Sequence, residues 1–258
     1  MRLYPSLCRT FVIAALCLSC GAAVAVPDEV GVYIDEVSKP GQYGLELHLN
    51  RSIKGVQTPG YPGQMPPHHV TQVTPEFFYG ISNELEAGLY LPVAFSPSGN
   101  AYLNGLRLRL KYLAPRQEGE AFFWGLNGEA GYAALRTSES TAIAELRPIV
   151  GYHGKDWLVS FNPILKMALS NNVSRQPQFE PALKLTHRVA EGVQAGAEYY
   201  GEYGPLRRFV PANERSHMLY AVADIERKDF DINLGVGRGF VNASDRWVIK
   251  GVVSLPFN

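Results

Sequence analysis

Trp247-Val248-Ile249-Lys250-Gly251-Val252-Val253-Ser254-Leu255-Pro256-Phe257 decides how the rest of the chain is read. Successive side chains of a strand point to opposite faces, so Trp247, Ile249, Gly251, Val253, Leu255 and Phe257 share one apolar side. Val248, Lys250, Val252, Ser254 and Pro256 share the other, which is mixed. At ~3.3 Å per residue and a tilt near ~40°, such a strand rises roughly 28 Å, enough to cross a bilayer core. An aromatic near each end and a position beside Asn258 mark it as the closing strand of an outer-membrane β-barrel.

The amino terminus reads the same way. Arg2 and Arg9 flank a polar start, an apolar stretch runs from Phe11 to Leu18, and Ala23-Val24-Ala25 offers small residues for a signal peptidase. Residues 1–25 are therefore expected to be a signal peptide, 26–40 a periplasmic lead segment, and 41–258 the barrel. Leu18-Ser19-Cys20 loosely resembles a lipoprotein box, but Cys17 stands where such a box carries Leu, so acylation of Cys20 is the lesser reading. Cys8, Cys17 and Cys20 all precede the favoured cut, which leaves a mature chain without thiols.

Composition sets bounds. Removing Arg2 and Arg9 leaves 22 basic residues against 24 acidic ones, a net charge near −2, with no basic run to suggest nucleic acid. Mean hydropathy of −0.08 would pass as soluble, as an alternating barrel does, because its apolar residues never form one long run. No stretch after the signal holds eighteen consecutive apolar residues, so no spanning helix is expected.

From Gly41 the alternation recurs about twelve times. The fourth repeat is the cleanest, with Leu106, Leu108, Leu110 and Tyr112 alternating with Arg107, Arg109 and Lys111. Short connections at Ser82–Glu84, His153–Asp156, Ala190–Gly192 and Arg227–Asp229 contrast with longer ones at Arg51–His68, Asn171–Pro177 and Pro205–Glu214. The connection near Pro115–Glu120 is longer than its side should need. An all-β transmembrane antiparallel up-and-down barrel of about twelve strands follows, with ten or fourteen as the alternatives. The rival is a soluble β-sandwich or a lipocalin-like barrel with its apolar face turned inward.

On this reading the inward faces carry Glu46, Glu76, Arg107, Arg109, Lys111, Glu129, Glu145, Arg147, Lys166, Lys184, Glu198, Glu202, Asp224 and Asp231. The residues expected to line the lumen and set its selectivity are Arg107, Arg109, Lys111, Glu145, Arg147, Lys166, Glu198, Glu202, Asp224 and Asp231. Arg107, Arg109 and Lys111 form the one local patch of single sign, suited to attracting anions. Twelve strands give a backbone radius of roughly 12 Å before side chains intrude, so long charged side chains leave either a narrow path or a lumen filled by ion pairs.

Gly41-Gln42-Tyr43-Gly44-Leu45-Glu46-Leu47, the stretch from Gly80 to Tyr90, Gly196-Ala197-Glu198-Tyr199-Tyr200-Gly201 and Asp231-Ile232-Asn233-Leu234-Gly235-Val236-Gly237 together resemble the outer-membrane β-barrel family named for the meta-pathway of phenol degradation. The likeness covers most of the mature chain. It implies an outer-membrane location and uptake of small organic compounds by a transporter, and it brings no catalytic motif.

Other chemistry is thin. Outer-membrane lipid-modifying enzymes need a serine and a base together on the outer wall, but Ser216 and His217 are adjacent and face opposite ways in a strand. His68 and His69 are likewise opposed if extended, so no metal site is expected, nor any cofactor or catalytic residue. Gly235-Val236-Gly237-Arg238-Gly239 lacks the spacing and following helix of a dinucleotide motif; its glycines should face the lumen. The expected partners are outer-membrane lipid, a small-molecule solute and, through the C-terminal strand, the barrel-assembly machinery. A structural barrel with a plugged lumen is the third reading.

Overall fold

The computed structural model describes residues 29–170 and 173–257; the expected signal peptide, its cysteines, and Asn171 and Asn172 of one long connection lie outside them. Fifteen strands form one sheet among the described residues. They are β1 (Tyr43–Lys54), β2 (Thr71–Gly80), β3 (Leu85–Tyr90), β4 (Val93–Phe95), β5 (Ala101–Leu103), β6 (Gly105–Leu113), β7 (Phe122–Ala133) and β8 (Ala142–His153). There follow β9 (Trp157–Ala168), β10 (Gln178–Ala190), β11 (Val193–Glu202), β12 (Gly204–Pro205), β13 (Ser216–Glu226), β14 (Asp231–Gly239) and β15 (Trp247–Phe257).

The fifteen reduce to twelve courses of wall. Both β3 and β4 pair with β2, so they are one course broken at Leu91-Pro92, where proline removes a ladder donor. Opposite it, β5 and β6 form a second course broken at Asn104, whose N–H donates to the Pro92 carbonyl at 2.7 Å. The two-residue β12 only bridges to β10. All pairings are antiparallel between neighbours, and β1 pairs with both β2 and β15, which closes the sheet on itself. The expected twelve-strand closed barrel is what the chain forms.

Side-chain placement separates the barrel from its soluble rival. Leu106, Leu108 and Leu110 are 44%, 60% and 50% exposed, whereas Arg107 and Arg109 between them are 8% and 6% exposed. Lys250, His48, Gln72, Glu198, Asn50 and Asn127 rank among the largest fully buried side chains. A lipocalin-like barrel would hold its leucines inside; this wall is the inverse, an apolar exterior around a polar interior, as a lipid solvent requires. Aromatics mark the rims. Tyr43–Phe257 and Tyr112–Trp124 sit 6.0 Å apart at the rim of the short turns, and Arg238 lies over Trp247 at the other.

The turn asymmetry is also as expected, with 81–84, 154–156 and 191–192 on one rim and 55–70 and 206–215 on the opposite rim. The 114–121 connection falls on the short-turn rim despite its length. One expectation differs. The supposed periplasmic lead does not hang outside: over its described part, residues 29–38 run up the inside of the barrel, as the contacts below show. It leaves at the short-turn rim through Gly41, whose φ of 79° favours glycine. There its backbone presses on Gly80, where any Cβ would strike the carbonyl of Lys39.

A charge on the apolar exterior should be costly. Leu108→Arg is expected to lower stability by about 2–4 kcal/mol in urea titrations of protein folded into lipid vesicles. An unchanged midpoint would mean that Leu108 does not face hydrocarbon.

Candidate functional site: the lumen and the segment within it

The lumen is built from the inward positions of all the long strands, and its charges are matched across strands. Arg109 lies 2.6 Å from both Glu76 and Glu86, and Lys111 lies 2.9 Å from Glu86. Arg107 meets Glu129 at 3.3 Å, Arg147 meets Glu145 at 2.8 Å, and Lys184 meets Asp224 at 2.8 Å. Glu198 receives both Lys250 and, at 3.4 Å, Lys184. Such pairing is what makes burial of ions tolerable, since each removed partner would leave an uncompensated charge.

The residues expected to line the lumen are spread along the barrel, most of them in ion pairs. Arg107, Arg109 and Lys111 share a face of β6, yet every one has a carboxylate within 4.0 Å, so their single sign is cancelled locally. Lys166 pairs with Glu180 at 2.6 Å near the long-loop rim, on the same side as Glu202. Asp231 is exposed at the opposite rim.

The amino-terminal segment occupies part of this lumen through four sets of contacts. At its inner end the Glu29 carboxylate lies 3.4 Å from Arg147 and 3.8 Å from Arg107. Lys250 donates to the carbonyl of Val30 at 3.1 Å. In the middle, the Tyr33 N–H donates to Asn162 at 2.7 Å, its carbonyl accepts from Ser160 and Asn162, and its hydroxyl meets that of Tyr90 at 2.6 Å. Toward the short-turn rim, Ser38 donates twice to Glu86, and Asp35 accepts from Arg116 at 2.6 Å and His153 at 3.0 Å. Burial pushes the Asp35 carboxyl up, but the His153 hydrogen bond and the Arg116 charge outweigh it and hold it below the usual carboxylate range. Its ionised form thus anchors the segment above the ordinary carboxylate pKa, and this anchor is lost only as pH falls through the lowered value.

Apolar contact completes the seat. Val30 packs with Met218, Tyr220, Val222 and Val248, and Val32 with Ile164 and Ala182. Tyr33, Ile34 and Val37 pack on Leu113, Phe123, Ile149 and Leu158. Val248 and Tyr220 lie on the inward face that alternation assigns them, whereas Phe123, Ile149 and Leu158 are inward apolar residues that the sequence reading does not single out. Their signal was there as breaks in strict alternation, at Phe122-Phe123, Ile149-Val150 and Trp157-Leu158. Gly237 faces inward as expected, and the Tyr220 ring fills the space its Cβ would need.

Between the segment and the wall of β1–β3, β6, β9–β11 and β13–β15 remains a cavity of about 380 Å³, open toward the short-turn rim. Nine carboxylates line it (Glu29, Glu36, Glu46, Glu76, Glu86, Glu198, Asp224, Glu226 and Asp231) against Arg109, Lys111, Lys184, Lys250 and the His48 imidazole. The free space is therefore acidic. Glu46, His48 and Glu76 converge on one wall of it, a group that the sequence reading did not assemble.

Two sequence-level pairs resolve differently. Ser216 points inward to Ser244, whereas His217 lies outside, its Nδ1 2.7 Å from the Tyr199 hydroxyl, so the wall separates them. His68 and His69 are not opposed: His69 takes a φ of 61°, which folds the loop back and leaves the rings 3.9 Å apart.

Neither a family model nor a curated protein sequence matches this chain. Among solved structures it is similar to the COG4313 outer membrane channel from Pseudomonas putida F1, with a TM-score of 0.64 and 12% identity over 89% of this chain and 100% of the other. It is similar also to the NanC porin, with a TM-score of 0.55 and 10% identity over 83% and 98% of the two chains. The KdgM porin, solved in complex with disordered oligogalacturonate, gives a TM-score of 0.52 and 10% identity over 84% and 99%. At these identities the likeness establishes the fold: a closed β-barrel of the kind built by outer-membrane channels.

Proposed function

We propose that this chain resides in the bacterial outer membrane and passes small polar solutes, cations before anions, through a lumen narrowed by its own amino-terminal segment. The observation that carries this reading is the acidic cavity between segment and wall, with nine carboxylates against four lysine and arginine side chains and one imidazole. A low-dielectric wall focuses such a field and concentrates counter-ions at the mouth. The channel and porins of similar fold support passage rather than chemistry. The resemblance to the meta-pathway barrels supports a small organic solute, and an amine-bearing one fits the charge. Lipid meets the leucine-rich exterior, and β15 is the element offered to the assembly machinery.

The amino-terminal segment is the second half of the proposal. Its side chains and backbone fill the centre of a barrel whose backbone radius is only roughly 12 Å. It also brings Glu29 against Arg107 and Arg147, which already face Glu129 and Glu145, and so adds negative charge to a wall whose own charges are paired. The second reading is a structural barrel, in which the space beside the seated segment carries no solute; the segment's firm seat on Leu158 and Ile149 favours that alternative.

Two measurements in planar bilayers separate these readings. Under a salt gradient the reversal potential of the purified protein should show cation preference, and E36Q/E226Q/D231N should move it toward anions. Anion preference in the unaltered protein refutes the sign proposed here. A variant lacking residues 26–38 should conduct several-fold better and be more anion-selective, because Arg107 and Arg147 lose Glu29. Silence in both the complete and the shortened protein would leave a structural barrel.

A further inference from the structure

We infer that Glu46, His48 and Glu76 form a divalent-metal site on the inner wall, of the imidazole-and-carboxylate kind that takes zinc-class ions. The inference stands apart from whether the lumen conducts. Period-two geometry puts Glu46 and His48 on the same inward face of β1, and the ladder sets Glu76 of β2 directly opposite Glu46. The three ligand atoms lie within 4.8 Å of one another. His48 Nε2 is 3.1 Å from a Glu46 oxygen and 3.2 Å from a Glu76 oxygen. Two ligands each ~2.0–2.1 Å from one ion are roughly 3.4 Å apart at a tetrahedral angle and roughly 2.9 Å apart at a right angle. Both observed separations fall between those limits.

Hydrogen bonding alone serves this arrangement poorly. An imidazole nitrogen carries at most one hydrogen, and here two carboxylate oxygens from two strands converge on the same nitrogen. His48 is 2% exposed, and its Nδ1 has no hydrogen-bond partner among the described residues. A metal ion in place of that single proton would bind both oxygens and the nitrogen at once. The surroundings suit it. Arg109 holds the other Glu76 oxygen at 2.6 Å and so aims the free one at His48, as outer groups commonly orient metal ligands. All three residues line the cavity, so water or solute can complete the shell, and the acidic surroundings draw cations in. One imidazole nitrogen beside two carboxylates selects zinc-class ions over magnesium or calcium, which prefer oxygen throughout.

Cobalt(II) is the probe, used on chelator-stripped full-length barrel in detergent, with visible absorption followed and zinc displacing it. The His68→Ala/His69→Ala background removes the one other neighbouring histidine pair. One ion per barrel is expected in that background, with affinity falling at least about tenfold in both E46Q and H48Q. Heat-modifiable migration on a gel confirms that each variant is still a barrel. Binding that survives E46Q and H48Q, binding lost with His68 and His69, or no uptake even at millimolar metal each overturns the site and leaves a protonated imidazole bridging two carboxylates.

Discussion

Closure is the constraint from which the rest of the molecule follows. A strand edge in hydrocarbon leaves N–H and C=O groups without partners, at several kcal/mol for each group. The first strand meets the last along Tyr43–Phe257 to Lys54–Trp247, so the wall has no edge. Once the sheet is closed, side chains have two destinations only. Leu108 and its like must meet lipid, and Arg109 and its like must meet one another. The ion pairs of the lumen are thus a consequence of closure at this strand number, because a radius of roughly 12 Å cannot hydrate every charge it encloses.

The amino-terminal segment answers a problem that closure creates. Leu158, Ile149, Phe123 and Val248 point into the lumen, where exposed apolar surface would face water. Val30, Val32, Ile34 and Val37 of the segment cover it from within. The polar contacts then fix its register: Tyr33 against Ser160 and Asn162, Ser38 against Glu86. Pro148 and Pro163 stand beside this contact, where the β8–β9 ladder skips from Leu146–Leu165 to Val150–Phe161. Proline supplies no ladder donor, and the neighbouring Asn162 side chain bonds the segment instead.

The wall was readable because a lipid solvent imposes one rule on every strand, and period-two alternation records it. Strand number, closure and the faces of Leu106 to Lys111 all came from that rule. The interior obeys no such rule. Whether Arg107 is free or paired depends on Glu129 and Glu29, which lie 22 and 78 positions away, and no local pattern encodes that meeting. The seat of residues 29–38 inside the lumen is not legible for a related reason. Glu29-Val30-Gly31-Val32-Tyr33-Ile34 alternates like a strand, but a stretch preceding the barrel was assigned to the space outside it. Its apolar residues find their partners in the doublets at Phe122-Phe123 and Trp157-Leu158, whose second members turn inward. His69 was misjudged because an extended loop was assumed; a left-handed residue reverses the geometry.

Charge complementarity ties segment and wall into one design. The inner wall near β6 and β8 presents Arg107, Arg109, Lys111 and Arg147, and the segment carries Glu29, Asp35 and Glu36. Glu29 reaches two of those arginines, and Asp35 reaches Arg116 at the rim. With the segment seated, its basic targets are satisfied and the carboxylates left around the cavity set the sign. The arginines it meets are already paired on the wall with Glu129 and Glu145, so the segment adds negative charge rather than cancelling positive charge. Filling the lumen and adding charge to it are thus done by the same short stretch of chain, so where the segment sits also sets the field of the cavity beside it.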